Sequence, residues 1–374
     1  MSGSSLLDSV SPRYPYALIQ QHDSWLAVDP VVGCKAQCSY CLLRLADWTG
    51  RTPELVQDVQ ETLRRLVAHR CFVAHETALC FGTRTDPLFP ESLPHTIEFL
   101  RGLEERDLRN PVALVTRRIP SEELLDVTDG LRGPRVVWYF TYSGLPRHLE
   151  VGAPGSATLE GIRRAARRGA PVVHFLRPIL RENSAPSDLQ QILEEVVPFT
   201  LATVVVGLKV SPDLRRVYQA TPELSGVAVQ GPDEGTAITT QAWDGLIAAL
   251  EARWPGHPLY RHTSCAMALA LGAADYTATY HHPSICGESR CPAEQRARCA
   301  AASTPPTEDR IRASLAHLRL TNAFRVRGSS IVLDGEIGQE EYVFLLHQLR
   351  CPIQAEVRFF RAFRGGIFAR PRPE

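Results

Sequence analysis

The sequence predicts an α/β protein whose main body is an open, partial (β/α)6 TIM-type barrel, and three observations predict it. Short apolar strands alternate with amphipathic helices from Trp25 to about residue 215. Such alternation builds βαβ units and a parallel sheet. About six units can be counted, short of the eight that close a full barrel. Three cysteines directly follow the first strand, and parallel barrels keep their reactive groups at C-terminal strand ends.

Residues 1–20 contain Ser and Pro and read as a loose leader. Within the barrel, 21–215, strands are expected at Trp25–Val32, Thr77–Phe81, Val112–Val115, Val136–Tyr142, Val172–Leu176 and Thr203–Leu208. Helices are expected at Thr52–Val73, Leu93–Glu105, Ser121–Leu131, Ser156–Arg168 and Ser187–Val196. The last has Leu189, Ile192, Leu193 and Val196 on one helical face, with Ser187 as its N-cap. From Pro212 to Gly235 the pattern loosens into loop and short strand. A helix at Thr240–Arg253 and a run dense in cysteine follow, so 216–303 reads as an auxiliary region. Ser303–Thr307 is a linker and helix start. The rest, 304–374, reads as a small α+β module. Its elements are a helix at Glu308–Leu320, a hairpin pairing Phe324–Val326 with Ile331–Leu333 around Gly328, a helix at Gln339–Leu349 and a strand at Ala355–Phe360.

The 374 residues leave room for a substantial core, and a formal charge of zero supplies no global field toward nucleic acid or anionic membrane. Lys35 and Lys209 are the only lysines among 41 basic residues, a bias we ascribe to codon usage. No apolar run is long enough for a membrane span, and Met1–Pro15 lacks the basic-then-apolar order of a secretion signal. A cytoplasmic location is expected. Ten cysteines, clustered rather than scattered, fit metal ligation in a reducing compartment better than disulfides.

The first cluster is Cys34-x3-Cys38-x2-Cys41. Thiolates are soft ligands suited to iron–sulfur clusters or zinc. A cubane cluster has four irons, so three cysteines leave one iron open to a non-protein ligand. A partial zinc site or three unliganded thiols are the alternatives, although no further cysteine or histidine follows closely to complete a zinc tetrahedron.

This spacing, with Tyr40 just before the last cysteine, resembles that of radical S-adenosylmethionine (SAM) enzymes. Four later segments extend the likeness in order: Gly82-Thr83-Arg84-Thr85-Asp86-Pro87, Thr116-Arg117-Arg118, Tyr142-Ser143-Gly144 with Glu150, and Arg177-Pro178-Ile179. Together, over roughly residues 20–215, they are similar to the spore photoproduct lyase-like branch of that superfamily. The resemblance implies a [4Fe–4S] cluster on Cys34, Cys38 and Cys41 whose open iron takes the amino and carboxylate groups of SAM. It implies Tyr40 near the adenine, and Thr85, Arg117 and Ser143 contacting SAM, with Asp86, Arg177 and Lys209 lining the same end. It also implies reductive cleavage of SAM to a 5′-deoxyadenosyl radical, hydrogen abstraction from a substrate, and a reductant such as flavodoxin or ferredoxin. One departure matters: lyases of that branch carry a hydrogen-donating cysteine where this chain has Thr83. A hydroxyl cannot replace it, which speaks against thymine-dimer repair. Cys80 nearby, like Cys71 and Cys351, reads as a buried core thiol.

A second set, Cys265, Cys286, Cys291 and Cys299, lies beyond the resemblance. Four cysteines can close a second [4Fe–4S] cluster, which we favour, or a zinc site. His281 and His282 are alternative fourth ligands. The leading functional reading is a radical SAM enzyme acting on a nucleic-acid or nucleoside-type substrate, aided by Arg358, Arg361, Arg364, Arg370 and Arg372 near the C-terminus. A peptide- or small-molecule-modifying enzyme using the auxiliary cluster is the rival, its terminal module capturing a peptide by strand addition. A non-catalytic iron–sulfur or zinc regulator that binds nucleic acid is a third class.

Overall fold

A computed structural model describes residues 17–221, 224, 235–237 and 240–358. Its main sheet has eight strands. Strand β1 (Ile19–Gln21) pairs antiparallel with β2 (Leu26–Val28). Parallel strands β3 (Leu79–Phe81), β4 (Pro111–Thr116), β5 (Arg135–Thr141), β6 (Val172–Leu176), β7 (Ala202–Val205) and β8 (Leu259–Tyr260) follow. The order is sequential and the two edge strands do not pair, which is an open partial barrel. Among the described residues no helix is long and apolar enough to cross a membrane.

All six expected strands are present, with four adjustments. Trp25–Val32 splits, because Asp29 and Pro30 separate β2 from a short Val31–Val32 pair with Glu54–Leu55. Ile19–Gln21 is strand rather than leader, held by its register with β2; residues 1–16 lie outside the described residues. Thr203–Leu208 also divides, its last residue belonging to a separate strand, Leu208–Val210. A seventh parallel strand, β8, comes from the cysteine-rich region, so that region completes the barrel sheet. Two residues are too few to show a period.

Helices α1 (Val59–Ala68), α2 (Leu93–Glu105), α3 (Glu122–Gly130), α4 (Gly155–Arg167) and α5 (Pro186–Val196) cover the outer face. The first is shorter than expected, since Pro53 and the Glu54–Leu55 pairing precede it and the Asp58 side chain caps it by accepting from Glu61 N at 3.0 Å. Ala185, not Ser187, is the N-cap of α5, because Pro186 takes the first helical position, where its missing N–H costs nothing. The loop expected after Pro212 begins instead as α6 (Pro212–Gln219), with Ser211 Oγ accepting from Leu214 N at 3.2 Å. Then α7 (Thr240–Arg253) packs on α5.

Alternation along the strands divides two cores. Leu79, Phe81, Leu114, Trp138, Phe140 and Leu176 face the outer helices. Cys80, Ala113, Tyr139, Phe175 and Val204 face inward and pack with Ala266 and Met267 of α8 (Thr263–Leu271). The cysteine-rich region therefore plugs the concave face, and the Thr263 carbonyl accepts from the Tyr139 hydroxyl at 3.1 Å.

The terminal module comprises α10 (Glu308–His317), β9 (Phe324–Arg327), β10 (Ser330–Gly338), α11 (Gln339–Leu349) and β11 (Ile353–Arg358), preceded by α9 (Ala293–Ala302). The expected hairpin is present, and β11 adds parallel to β10 through α11. Its last residues and Arg361, Arg364, Arg370 and Arg372 lie outside the described residues. The module docks on the β1 side. Glu340 accepts from Gln21 N and pairs with Arg70, each at 3.0 Å, and His347 Nε2 donates to the Asp23 carbonyl at 2.8 Å.

His174, His257 and His347 are buried. Desolvation pulls each pKa down to about 4. The unfolded chain takes up these protons near pH 6.5, so stability is full above that pH and falls on acidification toward pH 4. The loss reaches about 1.4 kcal/mol per pH unit for each histidine. Urea midpoints at pH 7.5 and pH 5, for wild type and His257→Gln, check this. The variant should show the shallower decline.

Candidate active site and a second cysteine centre

The cysteine loop is pinned at both ends. Gly33 has φ +104°, and a Cβ there would come 2.9 Å from the Thr52 carbonyl oxygen, so the entry requires glycine. Cys34 N donates to the Trp48 carbonyl at 2.9 Å, and Gln37–Cys38 pairs antiparallel with Glu150–Val151. Arg44 Nε donates to the Cys38 carbonyl at 3.0 Å. Cys38 is buried, Cys34 and Cys41 half-buried, and all three pack with Ala36, Phe89 and Ala153. Burial, then the neighbouring Cys41, pushes the Cys34 thiol up to about 12. Burial, then Cys38, pushes Cys41 up to about 11. Burial raises Cys38 as well, with Arg117 opposing.

Against these thiols lies a buried polar ring. Arg117 pairs with Glu150 at 2.7 Å and donates to the Tyr40 hydroxyl at 2.6 Å. Tyr40 and Ser143 hydroxyls both donate to Glu150 Oε1. Burial raises the Tyr40 pKa well above its usual value, so the phenol remains a neutral donor. Asp86 stands behind the ring, accepting from Thr116 Oγ1 at 2.7 Å, Arg117 N at 2.9 Å and Leu88 N at 3.0 Å. These contacts make it a positioning residue for Arg117. Thr85 is half-buried with its hydroxyl 3.3 Å from Ser92 Oγ. Thr83 is committed to Asp29, its Oγ1 donating at 2.7 Å. Cys71, Cys80 and Cys351 are buried, as expected of core thiols.

The structure thus gathers Cys34, Cys38, Cys41, Tyr40, Arg117 and Ser143, with Asp86 behind them. Arg177 is adjacent, its pKa lowered to about 10 by burial and then by Arg117. Lys209 lies farther along the same end of the sheet. Glu150, which joins the ring, had no signal beyond its place in a motif, since one glutamate in a polar turn carries no period or spacing. Asp29 was equally silent.

The second set also converges. Cys265 stands in the first turn of α8, Cys286 in a turn at Pro283–Gly287, Cys291 just before α9, and Cys299 within α9. All four line one small cleft, together with Tyr260 and Asp275. His281 and His282 do not line it, which leaves Cys265 as the fourth thiol there. Burial raises every one of these thiols. Asp275 organises the loop: its carboxylate accepts from Ser264 Oγ at 2.5 Å and from Thr277 N and Thr279 N at 3.1 Å, and its own N–H donates to Cys299 Sγ at 3.3 Å. A metal held by these four thiols would be retained about 10- to 100-fold less well in Asp275→Ala, the usual effect of losing such a supporting residue. Metal content during chelator challenge checks this, with the Cys34–Cys41 loop unaffected.

No family model matches the chain, and no curated protein matches it. Among solved structures, it is similar to a spore photoproduct lyase mutant with AdoMet and dinucleoside spore photoproduct bound: TM-score 0.49, 15% identity, covering 62% of this chain and 75% of that one. It is also similar to Streptococcus suis SuiB bound to S-adenosylmethionine: TM-score 0.38, 11% identity, covering 52% of this chain and 45% of that one. At these identities the likeness is one of fold.

Proposed function

We propose that this chain is a radical SAM enzyme. The observation that carries the reading is the gathering of three thiols beside the Tyr40–Arg117–Glu150–Ser143 ring at the C-terminal ends of parallel strands. The donors fit a [4Fe–4S] cluster: three soft ligands for three irons, one iron left for SAM. Burial keeps these thiols protonated on their own, so a metal that takes them as thiolates binds with release of protons. When bound, cluster and SAM supply one-electron cleavage of the sulfonium and hydrogen-atom abstraction from a substrate. The chain's part is to bind, orient and keep water out. Tyr40 and Arg117 present a polar rim, Glu150 and Asp86 hold Arg117 in place, and Phe89 and Ala153 keep the thiols dry.

The substrate we favour is a nucleic acid or nucleoside, on the strength of the ordered motifs in the sequence. Thymine-dimer repair is disfavoured, since Thr83 stands at the thiol position and its hydroxyl is held by Asp29. The second set we read as a further [4Fe–4S] cluster. Four thiolates suit a structural zinc as well, which is the alternative for this set. That second centre favours one alternative, peptide or small-molecule modification. A flavodoxin- or ferredoxin-type reductant would supply the electron.

EPR on anaerobically reconstituted, dithionite-reduced protein tests the reading. A cluster signal that changes when SAM is added supports it; an unchanged signal contradicts it. Turnover of SAM stimulated by nucleosides or oligonucleotides supports the favoured substrate. Stimulation by peptides alone supports the alternative.

A further inference from the structure

We propose that Asp29 and Arg84 are positioning residues that hold the Cys34–Cys41 loop in the shape its metal requires, an inference that deepens the proposed function and rests on it. Asp29 follows β2 and Arg84 lies in the turn after β3, so the two leave neighbouring parallel strands. Asp29 is 1% exposed and Arg84 4%. The Asp29 backbone is fixed, since its N–H donates to the Leu18 carbonyl at 2.8 Å. Its carboxylate accepts from Thr83 N at 2.5 Å, Thr83 Oγ1 at 2.7 Å and Arg84 N at 3.2 Å. It also pairs with Arg84 Nε at 3.5 Å. The same guanidinium donates to the Ala17 carbonyl at 2.6 Å.

From that anchor Arg84 reaches the cysteine loop twice. At the loop's entry its carbonyl accepts from Gly33 N at 3.1 Å. Beyond the last cysteine its guanidinium lies 5.4 Å from the centre of the Trp48 ring, within range of a cation–π attraction. The Trp48 carbonyl accepts from Cys34 N at 2.9 Å, and its buried side chain packs with Cys34 and Cys41. Arg51 N then closes the segment on the Cys34 carbonyl at 3.2 Å. One residue thus ties both ends of a segment that carries three thiols, and one buried carboxylate fixes that residue. A loop held in advance loses less conformational entropy when a metal joins its ligands.

A buried ion pair is a poor source of net stability, because desolvation offsets much of its attraction. Its use here is geometric. Apolar residues of the same volume could not accept from two backbone N–H groups of the turn, nor present a cation to Trp48. The arrangement also gives Thr83 a role. Its hydroxyl and its N–H both go to Asp29, so the turn after β3 is committed to holding the cysteine loop.

The test is hydrogen exchange and EPR on the full-length protein. Before reconstitution, amides of residues 33–51 should exchange at least about tenfold faster in Arg84→Met than in wild type, with strands β4 to β7 unchanged. After reconstitution and dithionite reduction, the cluster signal that SAM perturbs should be lost to a chelator at least about tenfold faster. Iron outside that signal should leave at the wild-type rate. Arg84→Lys keeps a cation between Asp29 and Trp48 and should stay within about threefold of wild type in both measurements. Thr83→Val removes one hydroxyl from Asp29 at nearly constant volume and should show both effects at about threefold; it carries the test if Arg84→Met does not fold. Wild-type exchange in the loop of these variants overturns the proposal, as does acceleration spread equally over the barrel strands. Exchange is read without metal, so it decides the clamp independently of the parent reading, which fails if wild type itself gives no signal that SAM perturbs.

Discussion

Replacing Cys34, Cys38 and Cys41 together by alanine is expected to remove about four of about eight irons per chain and to abolish formation of 5′-deoxyadenosine from SAM. The loss is all-or-none because the three thiols share one pocket with no other cysteine in their apolar wall. The four thiols lining the other cleft sit on different elements, α8, the Pro283–Gly287 turn and α9, so their metal should remain. Iron and sulfide analysis on wild type and variant checks both halves. Four irons in wild type and none in the variant would retain the first centre and make the second zinc or free thiols. Equal iron in both would remove these cysteines from the chemistry.

Glu150→Ala should cost about 3–5 kcal/mol of stability, the range for taking one partner from a buried ion pair. Glu150 is 5% exposed and Arg117 14%, so the arginine is left charged and largely desolvated. Tyr40 and Ser143 lose their shared acceptor as well. Under the proposed reading SAM affinity should fall at least tenfold, because the rim assigned to SAM loses its anchor. Glu150→Gln keeps an acceptor oxygen without the charge and should fall between. Urea unfolding and equilibrium dialysis measure the two effects. A cost below about 1 kcal/mol would mean that water replaces the carboxylate and that the ring is more open than its burial implies.

The fold was legible where periodicity was strong. Helix Leu93–Glu105 and helix Gln339–Leu349 have the boundaries expected of them, since apolar spacing and flanking polar residues agree. Ambiguity arose where a few residues decide an element: β8 has two residues, and Pro212 reads as a breaker until Ser211 is recognised as a cap. In the site, the cysteines announced themselves by spacing, and Arg117 and Ser143 by strand-end motifs. Glu150 stood in one of those motifs without a role assigned to it, and Asp275 had no signal. Each is a single acid whose importance lies in several donors converging from distant segments, a property of packing that no local pattern records.

The central claim is radical SAM chemistry at the Cys34–Cys41 loop. The most direct measurement is 5′-deoxyadenosine, quantified by mass spectrometry after anaerobically reconstituted wild-type protein is incubated with SAM and dithionite. The account predicts that it forms, and only with the three cysteines intact. Protein that carries only zinc, or that holds iron and binds SAM yet yields no 5′-deoxyadenosine with any reductant, would contradict it.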